Sequence, residues 1–162
     1  MKILKKILWV LVAVFVFIQF YPSPKNNTPG SPKTAIAMKF TVPPDVDEIL
    51  RTSCYDCHSD VTIYPWYAHV QPAEWWLAGH IRDGKRKLNF DEFATYKASR
   101  QYQKFGDIKA QISEGEMPLS SYTLIHRYAI LNDNLKSRIY HWTEVMRDTM
   151  KMRYPADSLK SN

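Results

Sequence analysis

The chain has few glycines and only two cysteines, and each scarcity narrows the choice of fold or function. Five glycines in 162 residues, beside long stretches of helix-forming residues, argue against a β-rich or doubly wound fold and predict an all-α protein. No cysteine directly follows the N-terminal apolar run, which excludes a lipoprotein signal. No second cysteine pair accompanies the first, so the usual ligand set of a structural zinc site is missing. The length suits one ordinary domain.

The positive charge is concentrated at the N-terminus. The formal net charge is +6, from 22 basic and 16 acidic side chains. Lys2, Lys5 and Lys6 precede the apolar run, and without them 19 basic side chains face 16 acidic ones. The remaining cluster, residues 82–87, is short and interrupted. We therefore expect an ordinary solvated surface and no nucleic-acid partner.

An unbroken apolar run occupies residues 7–18, behind the three lysines. This pattern is typical of an export signal. We predict that residues 1–21 form an uncleaved signal anchor that crosses the cytoplasmic membrane once; a signal peptide that is removed is the alternative. In both cases the lysines stay inside and the remainder of the chain lies in the periplasm.

Composition divides the rest of the chain into three parts. Residues 22–43 are rich in Pro, Ser and Asn and predict a linker that holds the domain away from the membrane. Residues 44–154 carry the helical periodicity of a domain, and residues 155–162 form a polar tail. Helices are predicted from about Asp45, Pro72, Phe90, Ser121 and Asp133, the third running to Ser113 and the last capped at Asn132.

The two cysteines stand in the motif Cys54-x-x-Cys57-His58. A disulfide here would close a small, strained loop, and a thioredoxin-like redox pair would need a βαβ context that this sequence lacks. The motif instead predicts covalent attachment of one haem c, in which both thiols add to the vinyl groups and His58 is the proximal iron ligand. Export agrees with this interpretation, because bacteria attach haem c outside the cytoplasmic membrane.

A sixth iron ligand is predicted at Met117. This residue lies in a Glu-Met-Pro sequence after a glycine turn, where Pro118 prevents a helix from continuing through it. A thioether on such a loop is well placed to reach the iron. His80 and His126 are the rival ligands, and an open or water-bound iron is the third possibility.

Several segments carry a resemblance to a known family. They are "CYDCHSD", "YPWYAHVQPAEWWLAGHIRDGK", "LNF" and "EMPLSSYTLIH". With them the chain resembles the small bacterial haem-binding domain family, and residues 115–142 look like the distal half of a class I cytochrome c. The resemblance implies a membrane-anchored monohaem c-type cytochrome with a cytochrome c-like helical fold. It assigns attachment to Cys54 and Cys57, proximal ligation to His58 and distal ligation to Met117.

The aromatic residues suggest walls for a haem pocket, since 22 of the 162 side chains are Trp, Tyr or Phe. Trp and Tyr can pack against the ring and donate hydrogen bonds to the propionates. Arg82 and Lys85 are possible partners of the propionates as well. The candidate wall residues are Tyr64, Trp66, Tyr67, Trp75, Trp76 and Tyr122.

The predicted function is one-electron transfer by a haem with His and Met ligands, which needs no substrate site and no catalytic residue. The redox partner is not identified by the sequence. The alternative is a haem enzyme or sensor, peroxidase-like or gas-binding, whose sixth iron position is vacant or labile. Glu116, His80 or His126 would then be the distal acid–base group.

Overall fold

The computed structural model describes residues 2–160, and helices are the regular elements of that range. Met1 and the last two residues of the predicted polar tail lie outside it. An isolated bridge joins Asn27 to Val61. The α-helices are α1 (Lys2–Ile18), α2 (Pro44–Ser53), α3 (Tyr55–His58), α4 (Ala73–Lys87), α5 (Ala98–Ser113), α6 (Ser120–Ile125) and α7 (Asp133–Arg153). Short 3-10 helices cover Pro32–Thr34, Ile36–Met38, Trp66–His69, Phe93–Thr95, Arg127–Ala129 and Ala156–Leu159.

Helix α1 stands outside the packed part of the molecule, and all of its residues that the structure describes are at least partly exposed. The residues directly after it are nevertheless hydrogen-bonded to the chain at the start of α4. The Gln71 amide donates to Oε1 of Gln19 at 2.9 Å, and Nε1 of Trp75 donates to the carbonyl of Tyr21 at 2.7 Å. Among residues 2–160, no helix combines the length and the apolarity that crossing a membrane requires.

The main hydrophobic core lies between α2, α5 and α7. Each helix buries residues at spacings of three and four, the period that places them on one face. Phe105 of α5 is fully buried, with the rings of Phe40, Phe93 and Trp142 around it at centroid distances of 4.9, 5.1 and 5.5 Å. The indole of Trp142 also donates to the carbonyl of Thr41 at 2.9 Å.

Four of the five predicted helices begin within two residues of the predicted position. The last is capped as predicted, because Oδ1 of Asn132 accepts a hydrogen bond from the Leu135 amide at 3.0 Å. The third prediction is wrong at its start: α5 begins at Ala98, eight residues after Phe90. The reason is tertiary. Phe90 is buried in the main core, and the side-chain amide of Asn89, the residue before it, donates to Oδ1 of Asp60 at 2.8 Å.

Parts of the predicted linker pack on the domain. Ile36 is 1% exposed and Phe40 is 6% exposed, and both belong to the main core. Farther upstream, the amide of Ser23 donates to Glu74, and Lys25 donates to the carbonyl of Ala68 at 2.7 Å. These contacts differ from the free spacer expected of residues 22–43, because Ile36 and Phe40 bury their side chains in the core that the helices form. The predicted polar tail also packs on the domain, since Leu159 is buried in the main core.

A second, smaller cluster joins α4 to the cysteine motif. Ala68, Leu77 and Ile81 are its buried members, and Cys57 packs against them. Gly84 makes the approach possible, because a Cβ at this position would lie 2.8 Å from the carbonyl oxygen of Cys57. Helix α4 therefore packs closely against α3.

Candidate functional site

The cysteine motif forms a single helical turn. Cys54 follows α2 directly, and the amides of Cys57 and His58 donate to its carbonyl at 3.2 and 3.0 Å. Positions 54 and 58 are four residues apart and therefore face the same way on a helix. This turn places a thiol and an imidazole side by side.

A cavity of about 420 Å³ opens beside that turn. Its volume is within the range of small-molecule and cofactor sites. The ends of α2, α3 and α4 form one side, α5 forms another, and the segment around Met117 closes it. The lining residues include Leu50, Cys54, His58, Leu88, Phe90, Ile108, Ile112, Met117, Pro118 and Leu131.

His58 is held in one orientation. Its Nδ1 lies 2.9 Å from the carbonyl oxygen of Leu88, and the backbone carbonyl of His58 accepts a hydrogen bond from the Phe90 amide at 2.8 Å. Because a carbonyl can only accept, the proton of the neutral ring is on Nδ1 and the lone pair is on Nε2. Burial lowers the pKa of His58, so the imidazole is neutral at physiological pH. A neutral ring with a free Nε2 is the form that coordinates a metal.

The two thiols differ in position. Cys54 lines the cavity, whereas Cys57 packs against the cluster beneath α4. Both are free and half-buried. Burial, with a smaller contribution from the Cys57 thiol, raises the pKa of Cys54 to about 12, and burial with Asp56 nearby raises the pKa of Cys57 to about 11. Both side chains are therefore protonated thiols at neutral pH.

Met117 reaches the cavity from a short segment after α5. Helix α5 ends at Ser113, and the chain turns at Gly115, whose φ of 77° belongs to the left-handed region that favours glycine. The amides of Glu116 and Met117 then both donate to the carbonyl of Gln111, at 2.9 and 3.0 Å. These bonds turn the chain back over the end of α5, which places the thioether among the cavity residues.

The predicted aromatic wall residues Trp66, Tyr67 and Trp76 lie outside the cavity lining. Trp66 is 79% exposed, Trp76 is 47% exposed with its ring tilted against that of His80, and the Tyr67 hydroxyl contacts His126. Helix phase explains Trp76: α4 buries Leu77 and Ile81, one and five residues later, so position 76 is turned outward.

The rival iron ligands are also placed elsewhere. His80 bonds through Nδ1 to the carbonyl of Trp76 at 2.9 Å. His126 is buried, and both of its ring nitrogens are hydrogen-bonded to tyrosine hydroxyls. Glu116 is exposed. None of these three side chains is among the cavity residues of the part of the chain that the structure describes.

Two basic residues line the cavity that were not predicted from the sequence. Lys87 and Lys104 line it, and Lys104 pairs with Asp107 at 2.7 Å. The predicted Lys85 instead pairs with buried Asp60 at 2.8 Å, and Arg82 lies outside the lining. No local pattern separates Lys87 from Lys85, since the orientation of the last turn of α4 decides which of them faces the cavity.

The comparison with known families decides the class of protein. A family model described as a haem-binding domain matches residues 13–145. The chain belongs to this haem-binding domain family. No curated protein matches the chain, and no solved structure does.

The residues of this haem-binding domain fit a haem. The cavity brings together an imidazole nitrogen and a thioether sulfur, both of which are known iron ligands of haem proteins. Its remaining walls are mostly apolar, as a porphyrin requires, and two lysines stand at the cavity as possible partners of the propionates. The matched range contains all of these residues.

Proposed function

We propose that the chain attaches one haem covalently through Cys54 and Cys57, ligates its iron through His58 and Met117, and transfers single electrons. One observation carries this proposal: Cys54, His58 and Met117, which are far apart in sequence, line the same cavity. Cys57 directly precedes His58 in the same helical turn and packs against the smaller cluster of Ala68, Leu77 and Ile81.

The chain's own residues suit electron transfer. When bound, haem supplies an iron that alternates between the ferric and ferrous states. The Leu88 carbonyl keeps the Nδ1 proton of His58 and so makes the ring a better electron donor at Nε2. Apolar side chains of α2 and α5, together with Leu131, line part of the cavity. Water displaced by these side chains would not have to reorganise when the charge of a bound iron changes.

We further propose that the N-terminal segment holds this domain at the outer face of the cytoplasmic membrane. The support is the sequence pattern of three lysines followed by an apolar run, together with the exposure of the apolar side chains along α1. Membrane fractions washed with carbonate should retain the protein, and recovery in the soluble periplasmic fraction would contradict this position.

The axial ligands can be tested by spectroscopy on protein matured with a haem c assembly system. We expect a low-spin ferric spectrum with the weak far-red band of methionine–iron ligation. The variant Met117→Ala should lose that band, whereas the matched control Met152→Ala, at a site 81% exposed on α7, should keep it. A high-spin spectrum with immediate carbon monoxide binding on reduction would favour the enzyme or sensor function instead.

Covalent attachment has a separate test. Extraction of the denatured holoprotein with acidified solvent should leave the haem on the chain. The double variant Cys54→Ala/Cys57→Ala should release any haem that it holds, because no thioether bond can form. Complete release of haem from the unmodified chain would contradict covalent attachment.

A further inference from the structure

A cluster of one carboxylate, one histidine and several tyrosines lies beside the attachment motif and apart from the cavity. Tyr122 donates a hydrogen bond to Oδ2 of Asp56 at 2.6 Å, and its ring stacks on that of His126 with the centroids 4.3 Å apart. The ring nitrogens of His126 bond to the hydroxyls of Tyr67 at 2.9 Å and Tyr128 at 2.8 Å. Because Asp56 belongs to α3 and Tyr122 to α6, the cluster joins these two helices.

The segment that the cluster holds also carries Met117. Upstream, this segment is fixed by the two amide bonds to the carbonyl of Gln111. Downstream it enters α6, and none of the six residues of that helix, all of which the structure describes, is buried. Leu124, for example, is 68% exposed. A helix this short gains little from its own hydrogen bonds or from apolar burial, so another interaction must hold it in place.

The hydrogen bond between Tyr122 and Asp56 is suited to that task. The second carboxylate oxygen of Asp56 accepts the amide of Ile63 at 3.2 Å, so the acceptor is fixed on both sides. Burial and the bond to the carboxylate both raise the pKa of Tyr122, which keeps the hydroxyl protonated. Hydrogen bonds to charged acceptors contribute more than neutral ones.

We propose that Tyr122 and Asp56 are positioning residues for Met117, because their hydrogen bond fastens α6 to α3 and so holds the methionine segment over the cavity. The two sides of the cavity are involved directly. Helix α3 carries His58, and the chain leading into α6 carries the thioether. The role in ligation rests on the proposed function, in which Met117 binds the iron.

The test is the variant Tyr122→Phe of the haem-loaded protein, which keeps the ring and removes the donor. We expect ferric protein to bind imidazole at the methionine position at least about tenfold more tightly, because losing a hydrogen bond to a charged acceptor raises the population of the open segment by that factor. Hydrogen exchange should accelerate similarly at the amides of residues 116–126 and stay unchanged in α7. The matched control Tyr140→Phe removes a hydroxyl from α7 and should change neither measurement.

A double-mutant cycle with Asp56→Asn completes the design. If the bond acts as proposed, the double variant should bind imidazole no more tightly than Tyr122→Phe alone. Unchanged imidazole affinity and unchanged exchange in Tyr122→Phe would overturn the inference, as would equal acceleration in α7, which indicates general destabilisation. Absence of methionine ligation in the unmodified protein would instead contradict the proposed function, and the exchange measurement would still decide whether the bond holds α6.

Discussion

At the scale of single residues, burial controls the reactivity of the two thiols. The nucleophile in alkylation is the thiolate, and its fraction falls tenfold for each pH unit by which the pKa exceeds the pH. With pKa values of about 12 and about 11, Cys54 and Cys57 carry far less thiolate in the folded chain than the ordinary value of 9.0 allows. If haem is attached to these thiols as proposed, attachment should be faster in a chain whose motif is not yet packed.

This difference predicts slow alkylation of the folded haem-free chain. At pH 8, iodoacetamide should modify both cysteines at least about tenfold more slowly in buffer than in denaturant. Mass spectrometry over time measures both rates, and a chain carrying only Cys57, with Cys54→Ser, separates the two sites. Equal rates in buffer and in denaturant would contradict the burial of the thiols.

The same pKa values predict a loss of stability in alkali. The pKa values of both thiols are higher in the folded chain than in the unfolded chain, so alkali ionises the unfolded chain first. The contribution of the protonated thiols to the free energy of unfolding is therefore fully present below about pH 9 and declines as the pH rises through 11 and 12. Urea denaturation of the haem-free chain should therefore give a falling midpoint over that window. The Cys54→Ala/Cys57→Ala variant has no thiol to ionise, and its midpoint should fall less.

Sequence reasoning found the residues of the site that have local signals. The spacing Cys54-x-x-Cys57-His58 and the Met117-Pro118 pair can be recognised without a fold, and the structure brings Cys54, His58 and Met117 to one cavity. Lys104 could not be found in this way, since its relation to the cavity depends on how α5 packs. For the same reason, an abundance of aromatic residues did not reveal which of them face the cavity.

At the scale of elements, the packing of α4 against α3 depends on one glycine. Gly84 faces the backbone of Cys57, where an added Cβ would lie 2.8 Å from the carbonyl oxygen and 3.4 Å from the carbonyl carbon. Gly79 lies on the same helix, and an added Cβ there would meet only the flexible end of Arg82, at 4.0 Å. The two glycines therefore form an internal comparison.

We expect Gly84→Ala to destabilise the protein by about 1–3 kcal/mol, the usual cost of forcing extra volume into a packed contact. Gly79→Ala should stabilise it by up to about 1 kcal/mol, because alanine is the better helix former and no contact opposes it. Chemical denaturation followed by circular dichroism measures both changes. Equal effects of the two substitutions would show that α4 does not rest on the motif in this way.

Helix starts could be predicted where a local sequence signal marks them. The acidic first turn of α2 and the Asn132 cap of α7 are local signals, and both helices begin where these signals predict. The start of α5 depends instead on distant partners. Phe90 and Phe93 reach the core from irregular chain and a 3-10 turn, and Asn89 bonds to Asp60, 29 residues away.

At the scale of the whole molecule, residues 22–43 are part of the folded unit. Low hydrophobicity predicts that such a segment cannot fold alone. It does not have to, because the domain offers sites for Ile36 and Phe40 in its main core and a buried carboxylate, Glu74, for the segment before them. Burial alone would raise the pKa of Glu74, but hydrogen bonds from Gln71 and Ser23 and the charge of Lys25 outweigh it and leave the pKa lowered.

Two truncations test this description. A chain that begins at Pro22 keeps Ile36 and Phe40 in the core, and we expect it to unfold at nearly the denaturant concentration of the full chain. A chain that begins at Pro44 loses both side chains, and each such loss in a core typically costs about 2–5 kcal/mol. Since the whole stability of a domain is about 5–15 kcal/mol, the shorter chain should lose a large part of its stability in the absence of haem. If circular dichroism and denaturation instead gave the two chains equal stability, residues 22–43 would be a spacer after all, and the contacts of Ile36 and Phe40 would contribute nothing measurable to the fold.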